Sequence, residues 1–550
     1  MTLLYVLYYK ILFQWIKRKR RNETIARCLD NIVAEGEGDR ICFYFGDEKW
    51  TYKQVCDFCK NSSIELPCCK SLSRNWSQKR DSVGLAMTNR PEMAATWIGL
   101  GRIGVISVLI NTNLRGDSLL KTMSEVRNGK QSDLLCPNIY ELSRFMEDPK
   151  WIPANQDFTH LFPTIDLAAC LFKVGPQPTS VTKDQEPNYL DPILYLFTSG
   201  TTGIPKAVAC SHGRLCFLAS TASAINFSPN DVTYSPLPMY HAGGLFSPMW
   251  AFVYRSPCVL VVKFSATNFW KDVHKYKVTV CMYVGELCRF LHNQPVNSEL
   301  EVGHSLRAFF GGGGLRPEVW AAFQERFKVK TFSIFMEVQK ETEKIGACGY
   351  IPIWLQPSHP IQLIKLTRLR GEIVRDEKTG FAIRCQDGKP GELIGKIIDS
   401  VPMSRFDGYT DKEATEKRIA RNVFKQGDKY GYYYFQDRIG DTFRWKAENV
   451  ATTMVEAVIS KVLGMRDNTV YYRGLRVQLC MAAILDATLG QFDIQSLTEG
   501  MKLSLPKYAM PMFIRLISNS KGLDMTGTLK FQKFRLRDDG FNIEGMRIHF

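Results

Sequence analysis

The sequence predicts an α/β protein with a large N-terminal domain of parallel-sheet layers and a small C-terminal α+β domain. Three observations predict it. A chain of 550 residues exceeds what one core buries, so about two to four domains are expected. Apolar strand-like runs alternate with amphipathic helical stretches through the first half. Asp81–Ala86 and Ile103–Ile110 flank a helix-like Arg90–Leu100 whose Met93, Trp97 and Leu100 share one face. Runs that are apolar throughout suit strands covered on both faces, as in parallel sheets. Late in the chain, Val477–Leu485 reads as a strand and Phe492–Leu503 as a helix, the makings of a smaller mixed unit.

Taken in order, residues 3–16 are mostly apolar but hold Lys10, and Lys17–Arg21 follow as a basic cluster. A spanning helix needs about 20 apolar residues, and a cleaved signal would put its basic end first. The Tyr, Trp and Lys/Arg content is what a membrane interface prefers. Residues 1–21 therefore read as a membrane anchor or interfacial helix, with an amphipathic helix packed on the protein itself as the alternative. Thr24–Ala34 reads as a helix, and Ile41–Phe45 with Trp50–Tyr52 as a strand pair. Residues 63–80 and 125–183 show no clear period. Asn111–Gly116 is a polar turn that caps a helix containing Leu119 and Leu120.

Ile193–Phe197 is a buried-strand pattern that runs into Thr198, Ser199, Gly200, Thr201, Thr202 and Gly203, closed by Pro205 and Lys206. The glycines let the backbone bend tightly, and the hydroxyls and N–H groups suit polyphosphate oxygens. Lys206 adds a cation where negative charge would gather. No Gly-Lys-Ser/Thr ending is present, so this is not a P-loop; a plain surface turn is the competing reading. Leu237–Gly244 is a second loop, with His241 beside glycines. Phe309–Gly314 is a strand pattern ending in glycines, which permits close backbone approach to a flat ring.

A formal charge of +16 fits an anionic membrane surface, phosphate-bearing substrates or a solvated basic face. No nucleic-acid-binding motif accompanies it, and nucleic acid is not expected. The 16 cysteines are scattered; Cys56 and Cys59 lack a matching second pair, so zinc is not expected. A reduced, cytosol-facing body is the simplest reading.

Tyr195–Lys206 as a whole resembles the signature of the acyl-adenylate-forming superfamily. Asn111–Gly116, Lys263–Ala266, Tyr283–Leu291, Gln436–Thr453, Leu505–Ala509 and Met525–Lys530 resemble its fatty acid transport protein branch, also called very long-chain acyl-CoA synthetases. The resemblance spans about residues 22–545. It implies an adenylate-forming domain over 22–437 and a mobile lid domain over 438–550. It also implies two-step activation of a long- or very-long-chain fatty acid, with ATP, Mg²⁺ and coenzyme A taking part. Carried over position by position, Thr198–Gly203 and Lys206 would hold phosphates, and Thr342 with Glu343 would complete the nucleotide site, Glu343 as the Mg²⁺ carboxylate. His241 would be an active-site residue and not a metal ligand. Arg438 would position the ribose. Lys446, in the hinge string, would be a cofactor-binding residue, and Lys530 is the candidate lid lysine, with Lys533 as runner-up.

The match breaks in places. Gly313 or a neighbour stands where the family has Asn; Lys340 and Glu341 replace the adenine-stacking Tyr and a permissive Gly; Asp428 is a displaced substitute in a shortened ribose loop; Ala447 replaces a Gly that lies against the pantetheine of CoA. Two functions follow as expectations. One is a membrane-associated fatty acid–CoA ligase with a cytosolic catalytic body, at the plasma membrane, endoplasmic reticulum or peroxisome. The other is a transport or lipid-binding member with impaired ligase activity. Homo-oligomerisation is left open.

Overall fold

The computed structural model describes residues 24–68, 82–112, 122, 132–136, 164–166, 186–198, 206–311, 317–329, 331–334, 337–339, 361–365, 373–386, 391–398, 416, 419–426, 429–433, 442–445, 448–464, 466, 468–473, 479–485, 493–505, 509–517, 533, 536 and 547–549. The expected anchor at 1–21 and the domain division at 437/438 lie outside these residues. Among the described residues no helix is long and apolar enough to cross a membrane.

The first helix, Ile25–Ala34, begins where Thr24 Oγ1 accepts from Arg27 N and buries Ile25, Leu29 and Ile32. Strand Ile41–Phe45 pairs antiparallel with Glu48–Thr51, close to expectation. The sequence reading carries the strand on to Tyr52, but Tyr52–Cys68 is a helix. Thr51 and Gln54 explain it. Gln54 N donates to Thr51 Oγ1 at 3.2 Å, and Thr51 N donates to Gln54 Oε1 at 2.8 Å, a reciprocal capping box that starts a helix.

Two large sheets form the body. One has six strands, in spatial order Thr164–Asp166, Ser132–Cys136, Ser82–Leu85, Ile106–Leu109, Pro192–Thr198 and Lys206–Ser211. Successive neighbours are parallel, except that the last strand returns antiparallel. The other has eight, in the order Glu337–Gln339, Thr331–Ile334, Ala308–Gly311, Val280–Tyr283, Thr233–Ser235, Cys258–Leu260, Ile41–Phe45 and Glu48–Thr51. Its inner strands are parallel, and an antiparallel strand closes each edge. Ser82–Leu85 and Ile106–Leu109 are buried along their whole length, which is why they read as mostly apolar runs.

Two four-stranded sheets follow. Ile361–Ile364, Glu392–Lys396, Lys429–Tyr433 and Ile419–Arg421 form an antiparallel sheet. Asn468–Arg473, Leu479–Leu485, Phe513–Ile517 and Arg547–His549 form a mixed one, in which Leu479–Leu485 and Phe513–Ile517 are parallel. Helices Thr452–Val462 and Ile494–Ser504 supply Val455, Ile459, Leu497 and Met501 to its core. Strand Leu479–Leu485 and helix Ile494–Ser504 agree with the α+β unit expected from Val477–Leu485 and Phe492–Leu503.

His212 sits at the start of the helix that follows the six-stranded sheet and is fully buried. Burial pushes its imidazole down to about 3, although nearby Asp191 opposes the shift. The group is therefore neutral in the fold and titrates near 6.5 in the unfolded chain. Above that value neither state gains a proton. As pH falls through 6.5 only the unfolded chain protonates, so stability should drop by about 1.4 kcal/mol per pH unit until about pH 3. Urea midpoints taken at pH 7 and pH 4.5 should separate more in the wild type than in His212→Leu; equal separations would remove His212 from the acid response.

Candidate active site

The site is built at the carboxyl ends of parallel strands, where loops can converge on a ligand without breaking a sheet. Pro192–Thr198 carries Ile193, Leu194 and Leu196 into the core and ends at Thr198, which pairs directly with Lys206 across an antiparallel ladder. Residues 199–205 between them lie outside the described residues. The base of this hairpin is fastened on the far side. His212 N donates to Asp191 O at 3.1 Å and Gly213 N to Tyr189 O at 2.7 Å. Gly213 is needed there, because a Cβ would sit 2.3 Å from the Tyr189 ring. Ser211 Oγ accepts from Arg214 N and caps the next helix. The ends of the proposed phosphate loop are thus held by main-chain pairing, with Lys206 entering the return strand.

The His241 loop leaves the carboxyl end of Thr233–Ser235 in the other large sheet. Leu237, Met239 and Tyr240 are buried, and His241 is the N-cap of helix Ala242–Tyr254. His241 N donates to Pro238 O, and Gly244 N donates to His241 O, each at 3.0 Å. The imidazole packs edge-on against Tyr240, with ring centres 4.8 Å apart. Gly244 makes this tight fold-back feasible, because a Cβ would stand 2.1 Å from the Pro238 carbonyl oxygen.

One side chain joins the two sheets here. Asn89, in the loop after strand Ser82–Leu85, is buried. Its Nδ2 donates to Leu237 O at 2.9 Å, and its Oδ1 accepts from Met239 N at 2.7 Å. The carboxyl edge of the six-stranded sheet, which also bears the Thr198–Lys206 hairpin, is thereby stitched to the loop that presents His241. Sequence reasoning missed Asn89. The available signal was its position, a polar residue between a buried strand and a helix opened by Pro91.

The glycine-rich turn leaves the same edge of the eight-stranded sheet. Gly311 ends the strand Ala308–Gly311 and lies so close to its neighbour that a Cβ would meet Tyr283 O at 2.1 Å. The described close approach is thus to the adjoining strand. Gly312–Arg316 lie outside the described residues. Tyr283 ends its own strand, and Gly285–His292 is the helix that follows it. Glu337–Gln339, the start of the altered adenine string, is the antiparallel edge strand beside Thr331–Ile334. Thr342, Glu343, Asp428, Arg438, Lys446 and Lys530 lie outside the described residues.

The structure places two other sequence-predicted features. Thr442–Trp445 and Glu448–Ala451 pair antiparallel up to Trp445↔Glu448, so the hinge string leads through a β-hairpin into helix Thr452–Val462. Lys533, the runner-up for the lid lysine, is engaged: its Nζ lies 2.9 Å from Glu456 Oε1 and donates to Thr452 Oγ1 at 2.7 Å.

Residues 31–394 match the family model described as AMP-binding enzyme. Long-chain fatty acid transport protein 1 of Mus musculus is 34% identical over 96% of this chain and 84% of its own length. The Bos taurus protein of that name is 37% identical over 90% and 78%. Long-chain fatty acid transport protein 5 of Homo sapiens is 33% identical over 81% and 67%. Among solved structures, o-succinylbenzoate coenzyme A synthetase (MenE) from Bacillus subtilis, in complex with AMP, superposes with a TM-score of 0.70 at 20% identity, covering 94% of this chain and 98% of that one. The anthranilate CoA ligase AuaEII with anthranoyl-AMP gives 0.71 at 16%, covering 94% and 97%. At those identities the structural likeness speaks to the fold.

Proposed function

We propose that this chain, which belongs to the AMP-binding enzyme family, is a membrane-associated AMP-forming ligase. It would join long- or very-long-chain fatty acids to coenzyme A and so trap them as they enter the cell. The observation that carries the reading is that the Thr198↔Lys206 pair lies at the carboxyl edge of the six-stranded sheet, and the His241 loop and the end of strand Ala308–Gly311 at that of the eight-stranded sheet, with Asn89 stitching one edge to the other. Relatives named long-chain fatty acid transport proteins support the acyl substrate. The Bacillus subtilis MenE synthetase solved in complex with ATP and magnesium ion supports the nucleotide.

The chemistry follows from charge. A fatty carboxylate and the α-phosphate of ATP are both anionic, so attack of one on the other needs positive charge and directed N–H and O–H groups around the developing oxyanion. Thr198, Ser199, Gly200, Thr201, Thr202, Gly203 and Lys206 would hold the phosphates, with Lys206 offsetting the charge. His241 would face the reacting carboxylate, Thr342 would complete the nucleotide site, and Arg438 would orient the ribose. Glu343 and the threonine hydroxyls are hard oxygen donors of the kind Mg²⁺ accepts; bound beside the phosphates, the ion would neutralise their charge. Lys530 would stabilise the carboxylate attack from a lid formed by 438–550 and withdraw for the thiol of CoA, the body being 22–437. Residues 1–21 would hold the enzyme at a membrane surface. Fatty acid-dependent ATP–pyrophosphate exchange without CoA, run across a chain-length series, tests the reading. Its absence from folded protein would overturn ligase activity.

That outcome would favour the second reading, a transport or lipid-binding member with impaired ligation. Lys340 and Glu341 in the adenine string and Ala447 in the hinge motivate it. Ala447 can be tested directly. By the resemblance the residue at this position lies against the pantetheine of CoA, so the methyl of Ala447 would narrow that passage. Ala447→Gly should speed thioester formation from preformed acyl-adenylate by about two- to tenfold, read in single turnover with adenylation unchanged. No acceleration would mean that the methyl group does not limit the CoA step.

A further inference from the structure

We infer that the Glu456–Lys533 pair is a positioning device for the segment that bears Lys530, an inference that rests on the ligase reading above. Thr452 and Glu456 stand one turn apart on helix Thr452–Val462, so they share a face, and both are buried. Glu456 Oε1 accepts from Val470 N at 2.8 Å and from Thr469 Oγ1 at 3.1 Å, and Lys533 Nζ lies 2.9 Å away. Lys533 Nζ also donates to Thr452 Oγ1 at 2.7 Å. One carboxylate thus gathers the helix after the hinge hairpin, the first strand of the C-terminal sheet, and the chain that follows strand Phe513–Ile517.

A second anchor lies three residues on, where Leu536 is buried with Tyr471, Met481, Ala483 and Ile517. The segment is therefore pinned by charge at 533 and by apolar packing at 536. Stability alone is a weak reason for such a pair, since apolar residues often replace a buried ion pair at little cost. Its place in the chain supplies another reason. Lys530 is three positions from Lys533, and a peptide extends by at most about 3.6 Å per residue. The Lys530 Cα consequently stays within about 11 Å of the Lys533 Cα. Pinning Lys533 bounds the region that the Lys530 ammonium explores and sets its reach when the lid swings.

The two half-reactions separate positioning from general damage. ATP–pyrophosphate exchange reads adenylation, and thioester formation from supplied acyl-adenylate plus CoA reads the second half. Glu456→Gln keeps an oxygen acceptor for Val470 N while removing the charge. It and Lys533→Met should lower exchange by about tenfold or more in kcat, with KM for ATP within about twofold and thioester formation within about threefold of wild type. Lys533→Arg, which keeps the ion pair, should restore exchange. An equal fall in both halves, unchanged exchange, or full exchange in Lys530→Ala would overturn the inference. If the wild type itself lacks exchange, the ligase reading fails, and hydrogen–deuterium exchange then judges the clamp. Peptides over 526–536 should exchange faster in Lys533→Met, and unchanged protection would overturn it.

Discussion

Lys206→Ala should lower fatty acid-dependent ATP–pyrophosphate exchange by about 100-fold or more while leaving the fold intact. The two halves of that expectation have different causes. Catalysis would suffer because two anions must meet, and Lys206 is the cation proposed for the return end of the phosphate loop. Losing one preorganised charge in a water-poor site costs more than losing one in solution. The fold survives because Thr198↔Lys206 pairing is a main-chain register, to which any residue but proline contributes. Lys206→Arg should retain part of the activity, since charge is kept and the shape of the donor changes. Thermal unfolding measured alongside exchange separates the two effects. An alanine variant with a third or more of wild-type exchange would sink the phosphate assignment.

Asn89→Ala should cost about 2–5 kcal/mol of stability and most of the activity. Its amide is the partner of a buried carbonyl at Leu237 and a buried N–H at Met239. Alanine offers neither group a bond, and each orphan costs about 1–3 kcal/mol. The loop so loosened ends at His241. A displacement of about 1 Å at a reacting group can cost about 100-fold in rate, so kcat should fall more than substrate affinity. Asn89→Asp is informative because it keeps the acceptor for Met239 N but sets a carboxylate against Leu237 O; it should fare little better than alanine. Urea denaturation of the alanine variant decides the matter. A loss below about 1 kcal/mol would mean that the two sheets do not depend on this stitch.

Much of the body was legible because burial on both faces writes itself into sequence as unbroken apolar runs. Ile193–Phe197 announced the strand Pro192–Thr198, and Phe309 with its neighbours announced Ala308–Gly311. The helix Tyr52–Cys68 escaped because its start is written in two polar side chains, Thr51 and Gln54, and not in apolar period. Asn89 escaped for a different reason. Its partners lie about 150 positions away, and no local pattern encodes a bond formed only when two sheets meet. The pairing of Lys533 with Glu456 escaped too, because the two residues are far apart in the chain. The roles of Thr342, Glu343, Arg438, Lys446 and Lys530 still rest on motif resemblance, because those residues lie outside the described part of the structure.

The order of strands in the eight-stranded sheet also dictates when that sheet can exist. Ile41–Phe45 is made early in synthesis, yet its parallel neighbour is Cys258–Leu260, roughly two hundred residues later. At about 5–20 residues per second of translation, the gap is about 10–40 s. Through that interval Cys42 and Phe43, fully buried at the end, lack the strand that covers their open edge. Parallel pairing also comes late in folding, because the long loop must close before any bond repays it. The nascent chain therefore spends its most exposed period with an apolar strand edge open, when a holding chaperone would govern yield more than the final stability does.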